Sequence, residues 1–251
     1  MGQRLDETES AHAIPSRRVL REEILVVLSL SLLASAVFAV IDLLSAPLHG
    51  VAVATFGQNV QLATQLAGIA FGLAPVWLVV HLLRRSGEDV SAIGLSLDRP
   101  RFDVAAGVGL AAVVGAAGIG IYLAAVALDV NRIVVPVPPT GHWWTVPVLI
   151  LGSAQFALLE ETIAIGYLLT RLRQLGWAPA VAVAASALLR GSYHLYQGWG
   201  GFAGNLAMGL FFGAIFLRWR RVWPLVVAHF LVDVGAGVGY LLFHQHLPGL
   251  Q

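Results

Sequence analysis

Six ionisable side chains, Glu160, Glu161, Arg190, His194, His229 and Asp233, stand between Leu158 and Asp233 inside three segments that otherwise read as bilayer-spanning helices. At the centre of a lone membrane helix such a group costs about 2.5–3.5 kcal/mol or more on insertion scales. Six of them therefore require one shared, partly hydrated polar pocket, and that pocket is the expected active site.

The rest of the chain supplies the membrane. It has 251 residues, of which 58% are hydrophobic and 12% charged, and its mean hydropathy of +0.80 lies far from that of a soluble domain. Cysteine is absent, which excludes disulfides, thiolate metal ligands and a Cys nucleophile. Seven apolar segments, at 24–44, 61–83, 104–127, 145–170, 179–197, 202–217 and 223–243, mostly meet the ~20 residues that a helix needs to cross ~30 Å of hydrocarbon. The sixth is the shortest. The expected fold is an all-α polytopic membrane protein, a bundle of about seven transmembrane helices around a polar intramembrane site. Its expected parts are a tail over 1–23, N-terminal transmembrane helices over 24–127 and a core over 145–243. Residues 1–23 are polar, with no apolar run before a cleavage site, so a solvated tail with a short interfacial helix near Ser16–Glu23 is expected, and no signal peptide.

Arginine placement tests the count independently. All fifteen basic residues are Arg. Thirteen fall in the tail or in the loops after segments two, four and six, one (Arg132) in the alternate loops, and one (Arg190) in an apolar segment. The positive-inside rule then places the N-terminus in the cytoplasm and the C-terminus outside, in a multi-pass protein of the plasma membrane. Trp77, Trp143, Trp144, Trp177, Trp219 and Trp223 fall near the expected helix ends, as an interfacial belt requires.

The connections carry less information. Residues 84–103 form the longest cytoplasmic loop, with an amphipathic surface stretch expected around Val90–Leu97, and 128–144 reads as an extended external loop with three prolines. Gly109, Gly115 and Gly120 are expected to serve helix packing, and Ser153 and Ser192 to be packing or back-bonding serines.

Chemistry begins at Glu160 and Glu161. Adjacent residues on a helix point about 100° apart, so one carboxylate should face the pocket and the other a neighbouring helix. The pair could be catalytic, or it could simply tether helices through hydrogen bonds. Arg190 and His194 are four apart and share a helical face, as do His229 and Asp233, where the acid can fix the imidazole tautomer or raise its basicity.

This order of residues on three helices resembles the CPBP family of intramembrane proteases, which includes CAAX prenyl endopeptidases and bacterial Abi-type proteins. The family shows Glu-Glu-x-x-x-Arg, then Phe-x-x-x-His, then His-x-x-x-Asn or Asp. Glu160 and Glu161 match the first motif, His194 the second, and His229 with Asp233 the third, over about residues 145–243. Two positions depart: Ile165 stands at the motif-one Arg and Arg190 at the motif-two Phe. A relocated guanidinium is expected, with Arg190 pairing with Glu161 from the neighbouring helix.

The resemblance implies peptide-bond hydrolysis in the membrane. Glu160 is the expected general base on a water that His194 helps to hold, with His229 and Asp233 binding the developing oxyanion or completing the polar site. A second version holds Zn²⁺ through His194, His229 and Glu160, since two His and one acid with an open fourth position form a usual catalytic zinc set. No cofactor and Zn²⁺ both stay open at this point. The expected partners are membrane lipid and a membrane-associated peptide or protein substrate, with no nucleic acid. Two other classes also use intramembrane charges: a small ion- or proton-coupled transporter, and a catalytically degenerate scaffold or immunity-like protein, which the missing motif-one Arg favours. Depth raises a conflict. Counted from helix starts at the cytoplasmic face, His194 lies ~22 Å deep, Glu160 ~16 Å and His229 ~9 Å.

Overall fold

The computed structural model describes residues 16–33, 35, 36, 40, 58–128 and 142–243. The tail before residue 16, most of 34–44 in the expected first crossing, and the greater part of the loop that carries Arg132 lie outside the described residues. Every regular element among those described is helical, and the fold is an all-α polytopic membrane protein.

Helix α1 (Arg17–Ser29) opens at Ser16, whose hydroxyl accepts from the Val19 N–H and so satisfies one of the orphan donors of the first turn. It runs beyond the expected interfacial stretch and buries Leu20, Ile24 and Val27. Helices α2 (Gln58–Gly72) and α3 (Ala74–Arg85) follow in near-continuous succession, with Pro75 early in α3, where its missing N–H costs nothing. Helix α4 (Pro100–Ala127) packs along α8 (Trp223–Phe243), and α8 packs on the long central helix α5 (Thr145–Gln174). Between α5 and α8 lie α6 (Pro179–Tyr193) and α7 (Trp199–Trp219), which form a tight hairpin. A Cβ at Gly209 would come 2.9 Å from the Ala187 Cα, so glycine lets the two hairpin backbones approach.

Among the described residues five helical stretches are long and apolar enough to cross a membrane: Leu62–Arg85, Pro100–Ile121, Thr145–Gln174, Trp199–Trp219 and Trp223–Leu242. The expected fifth crossing, 179–197, is not among them, because its regular helix is short. Helix α6 has 15 residues, about 22 Å, short of the ~30 Å of hydrocarbon. It ends at Tyr193 and gives way to a 3-10 turn over Leu195–Gln197. The sixth segment, expected to be marginal, is a full 21-residue helix because it gains Trp199–Gly201 and the last turn to Trp219.

Two other expectations also change. Gly109, Gly115 and Gly120 meet no atom within 4 Å where a Cβ would stand; on α4 it is Gly107 that allows a close approach, 2.9 Å from its Cβ position to the Pro224 carbonyl oxygen. The loop between α3 and α4 is a packed strap. Asp89 caps a 3-10 turn over Val90–Ile93 that closes at Gly94, whose φ of +80° lies in the left-handed region. Ile93 and Leu95 are buried, whereas Leu97 is exposed.

The strap covers the corner between α7 and α8. The Val222 N–H donates to the Gly94 carbonyl and the Trp223 indole N–H to the Leu95 carbonyl. Helix α8 therefore starts beneath the strap. Despite the depths counted from the helix starts, His229 of α8 reaches Glu161 of α5 at 2.9 Å.

Candidate active site

Helix α5 changes its winding where the acids stand. From Glu161 to Tyr167 the backbone is a π-helix, and at its end the Leu168 N–H reaches the Ile163 carbonyl five residues back. Such wide turns appear frequently at functional sites. All seven residues are buried. A neighbouring hydroxyl takes one loosened carbonyl, Ser186 Oγ donating to the Ala164 oxygen at 2.7 Å. On the other flank the strap presses against Gly166, where a Cβ would stand 2.7 Å from the Ile93 carbonyl oxygen.

Arg190, fully buried in α6, is the centre of the cluster. Its Nη1 donates to Glu161 Oε1 at 2.6 Å, and its Nη2 lies 3.5 Å from Glu160 Oε2. The expected pairing with Glu161 is present. The expectation that adjacent carboxylates diverge needs amendment: both acids meet one guanidinium, through different nitrogens. The planar fork of arginine makes this possible, because its two terminal nitrogens present separate donors. Arg190 also lies 5.7 Å from the Phe212 ring centroid and 3.7 Å from the Met208 sulfur, so its other surroundings are soft and polarisable.

Helix α8 contributes His229. Its Nδ1 is 2.9 Å from Glu161 Oε1 and its Nε2 is 3.4 Å from Asp233 Oδ2. A carboxylate oxygen only accepts, so Nδ1 carries a proton toward Glu161. The 3.3 Å approach of Arg190 Nη2 to the same Nδ1 is then a contact of two donors that share Glu161. Asp233 is the open end of the cluster, with its side chain 36% exposed.

His194 lies just past the end of α6, with φ of −100°, and not within the helix as its spacing to Arg190 had implied. Its Nδ1 is 2.9 Å from the Arg190 carbonyl oxygen. That carbonyl is one of the orphan acceptors at a helix C-terminus, and a histidine there satisfies it. A carbonyl cannot donate, so Nδ1 is protonated, and in the neutral ring Nε2 is left as an acceptor.

One member of the site was missed from the sequence. Tyr193, 5% exposed, donates its hydroxyl to Glu160 Oε2 at 2.8 Å. Its spacing of three from Arg190 could have flagged it, since residues three apart share a helical face. The π-helix had no signal in hydropathy or periodicity.

The residues do not fit a zinc ion in this arrangement. Among the described residues no three His, Asp or Glu side chains form a set that could hold a metal. Where Glu160, Glu161 and His229 converge, the guanidinium of Arg190 already supplies positive charge. A cation added beside it would face repulsion, and His229 Nδ1 is already engaged by Glu161.

Ile165, at the position where the first motif carries Arg, is fully buried in the π segment among apolar residues. The buried charge that it lacks comes from α6 instead. No curated protein and no solved structure matches the chain. Residues 142–235, which run from the start of α5 through Asp233 and contain every member of the cluster, match the family model of type II CAAX prenyl endopeptidase Rce1-like proteins, so this region of the chain is Rce1-like and agrees with the motif pattern of its acids and histidines.

Proposed function

We propose that this protein is an intramembrane endopeptidase of the CAAX-protease-like type, hydrolysing peptide bonds of membrane-associated peptides or proteins with a water activated by Glu160. The observation that carries the proposal is the meeting of Glu160, Glu161, Arg190 and His229 at one buried point of an Rce1-like region.

Glu160 has one oxygen engaged by Tyr193, no bond from the described residues on the other, and 10% of its side chain exposed. It therefore keeps an acceptor for a water proton. His194 offers a second acceptor at Nε2. A water that donates to both directs its lone pair away from them, toward a substrate carbonyl carbon. Attack forms the carbon–oxygen bond while the water proton passes to Glu160. The carbonyl oxygen becomes an oxyanion, and Glu160 returns the proton to the departing amine as the carbon–nitrogen bond breaks. His229, with a carboxylate facing each ring nitrogen, can hold a proton on Nε2 and donate it as a hydrogen bond to the oxyanion, with Asp233 orienting it. Glu161 and Arg190 act as the fixed ion pair behind these groups. No step passes through a metal.

The membrane setting follows from the same elements. The N-terminus is proposed to be cytoplasmic and the C-terminus outside, in the plasma membrane, with lipid around the apolar faces. Cysteines introduced at Ser86 and Gln174, the ends of α3 and α5, should be labelled from the cytoplasm only; labelling from outside reverses the orientation.

The deciding experiment is proteolysis by the protein reconstituted in vesicles, with wild type, Glu160→Ala and His194→Ala, each with and without a chelator. Cleavage by wild type that survives the chelator and disappears in both variants supports the glutamate mechanism. Full activity in Glu160→Ala removes it. Retention of a cellular phenotype by Glu160→Gln would instead support a scaffold or a transporter.

A further inference from the structure

We infer that Tyr193 is a positioning residue for the water-activating carboxylate, holding Glu160 off Arg190 so that one oxygen stays free for water. The inference rests on the reading of Glu160 as the base.

Three observations converge on it. Tyr193 is buried and its hydroxyl is 2.8 Å from Glu160 Oε2. A carboxylate only accepts, so the hydroxyl donates. The second observation is an asymmetry in Arg190, which lies 2.6 Å from Glu161 but 3.5 Å from Glu160, its approach again being to Oε2. Both donors thus collect on one oxygen of Glu160, and no described residue bonds to the other. The third is placement. Tyr193 is the last residue of α6 and stands beside His194, their ring centroids 4.7 Å apart. One helix end therefore delivers the group that fixes the base and the imidazole that shares its water.

Physics gives the bond a task. A glutamate side chain is flexible, and a guanidinium binds carboxylates best through two parallel hydrogen bonds. Left to itself, Glu160 would close onto Arg190 and engage both oxygens. The tyrosine ring, with only two torsions, is a rigid donor that loses little entropy when it holds Oε2. It competes with Arg190 for that oxygen and keeps the ion pair at 3.5 Å. Catalysis is sensitive to such geometry, because a misplacement of about 1 Å can lower a rate by about 10²-fold.

The test is Tyr193→Phe, with p-aminophenylalanine installed at position 193 as a variant that restores an N–H donor on the same ring. Both are reconstituted in vesicles, assayed on a quenched-fluorescent prenylated CaaX peptide, and compared with wild type and Glu160→Gln. The expected result is a fall in kcat of about 10- to 100-fold for Tyr193→Phe at a KM within about twofold of wild type. The aminophenyl variant should recover most of the loss. A second readout needs no substrate: the difference infrared spectrum of Tyr193→Phe against wild type should show a shifted carboxylate band that is absent when Glu160 is already Gln. A kcat within twofold of wild type for Tyr193→Phe, equal rates in the phenyl and aminophenyl variants, or an unchanged carboxylate band each overturns the proposal. Failure of the underlying reading looks different: Glu160→Gln would then keep its activity whatever position 193 carries.

Discussion

Two buried arginines, Arg190 at the candidate site and Arg221 under the strap, show how differently this protein satisfies a guanidinium. Arg221 is saturated. It holds Asp103 through two bonds of 2.6 and 2.7 Å, Asp98 at 2.8 Å, and the Ser96 carbonyl at 3.1 Å. Arg190 is not. Its Nε has no partner, Glu161 Oε2 beside it has none, and neither does the adjacent Thr162 hydroxyl. Buried polar groups normally find partners, and each exception calls for an explanation. Incomplete bonding is not confined to this cluster, since the buried Arg171 also leaves Nε and Nη2 without a hydrogen-bond partner. The contrast teaches that the strap arginine is held by a closed set of bonds, whereas Arg190 is shared among Glu160, Glu161 and His229 with its Nε left over.

The largest effect that would break this contrast concerns the two acids. Glu160→Gln should abolish hydrolysis, a loss of about 10²–10⁴ in kcat/KM, at unchanged folded yield, because an amide cannot accept the water proton. Glu161→Gln should mainly lower folded yield, since Glu161 is fully buried and anchors both Arg190 and His229. Activity per folded molecule, measured beside yield in detergent, separates the two; equal activity losses at equal yields would erase the distinction.

Next comes the relocated charge. Arg190→Phe leaves Glu161 buried without its counter-charge, which by the rule for broken pairs costs about 3–5 kcal/mol. The single variant should be inactive or poorly folded. Adding Ile165→Arg returns a guanidinium one turn from Glu161 and should recover part of both activity and yield. A harmless single change would end the idea of relocation.

The strap offers the converse. Arg221→Ala removes charge-assisted bonds to the buried Asp103 and should destabilise the protein by about 1.5–3 kcal/mol. Activity per folded molecule should stay within about twofold. Thermal unfolding in detergent and a rate on the folded fraction check both, and a loss of activity without a loss of stability would place Arg221 in the site instead.

The smallest effect is a pH dependence at the strap. Hydrogen bonds from the Ser96 hydroxyl and then from Arg221 hold the Asp98 carboxyl down at about 2, against an ordinary value of 3.8. A depressed carboxyl contributes stability that is complete above its unfolded value and is lost as pH falls toward its folded one. The unfolding temperature of wild type should therefore decline between about pH 4 and pH 2. Asp98→Asn should show less of that decline, and identical profiles would mean that the bond contributes nothing measurable.

Much of the core was legible in the chain. Glu160, Glu161, Arg190 and His229 come together in the structure, and Arg190 reaches Glu161 across 29 residues of sequence. That pairing could be argued because a buried arginine demands an acid, and only Glu160, Glu161 and Asp233 lay at hand in the core segments. Tyr193 was passed over because a tyrosine in a membrane helix demands much less. Its bond to Glu160, 33 residues away, exists only because α6 ends where it does.

By itself the sequence determined that this chain enters a membrane as helices and that its charges gather in one pocket, because transfer energies belong to single residues and their periodicity is local. Only the tertiary structure decided which atoms meet. The short α6, the π turn at Glu161–Tyr167 and the strap bonded to the start of α8 set how the helices stand against one another. Contacts such as His229 to Glu161, 68 residues apart, depend on that arrangement. Depth and crossing are properties of packed pairs of helices, and no single helix encodes them.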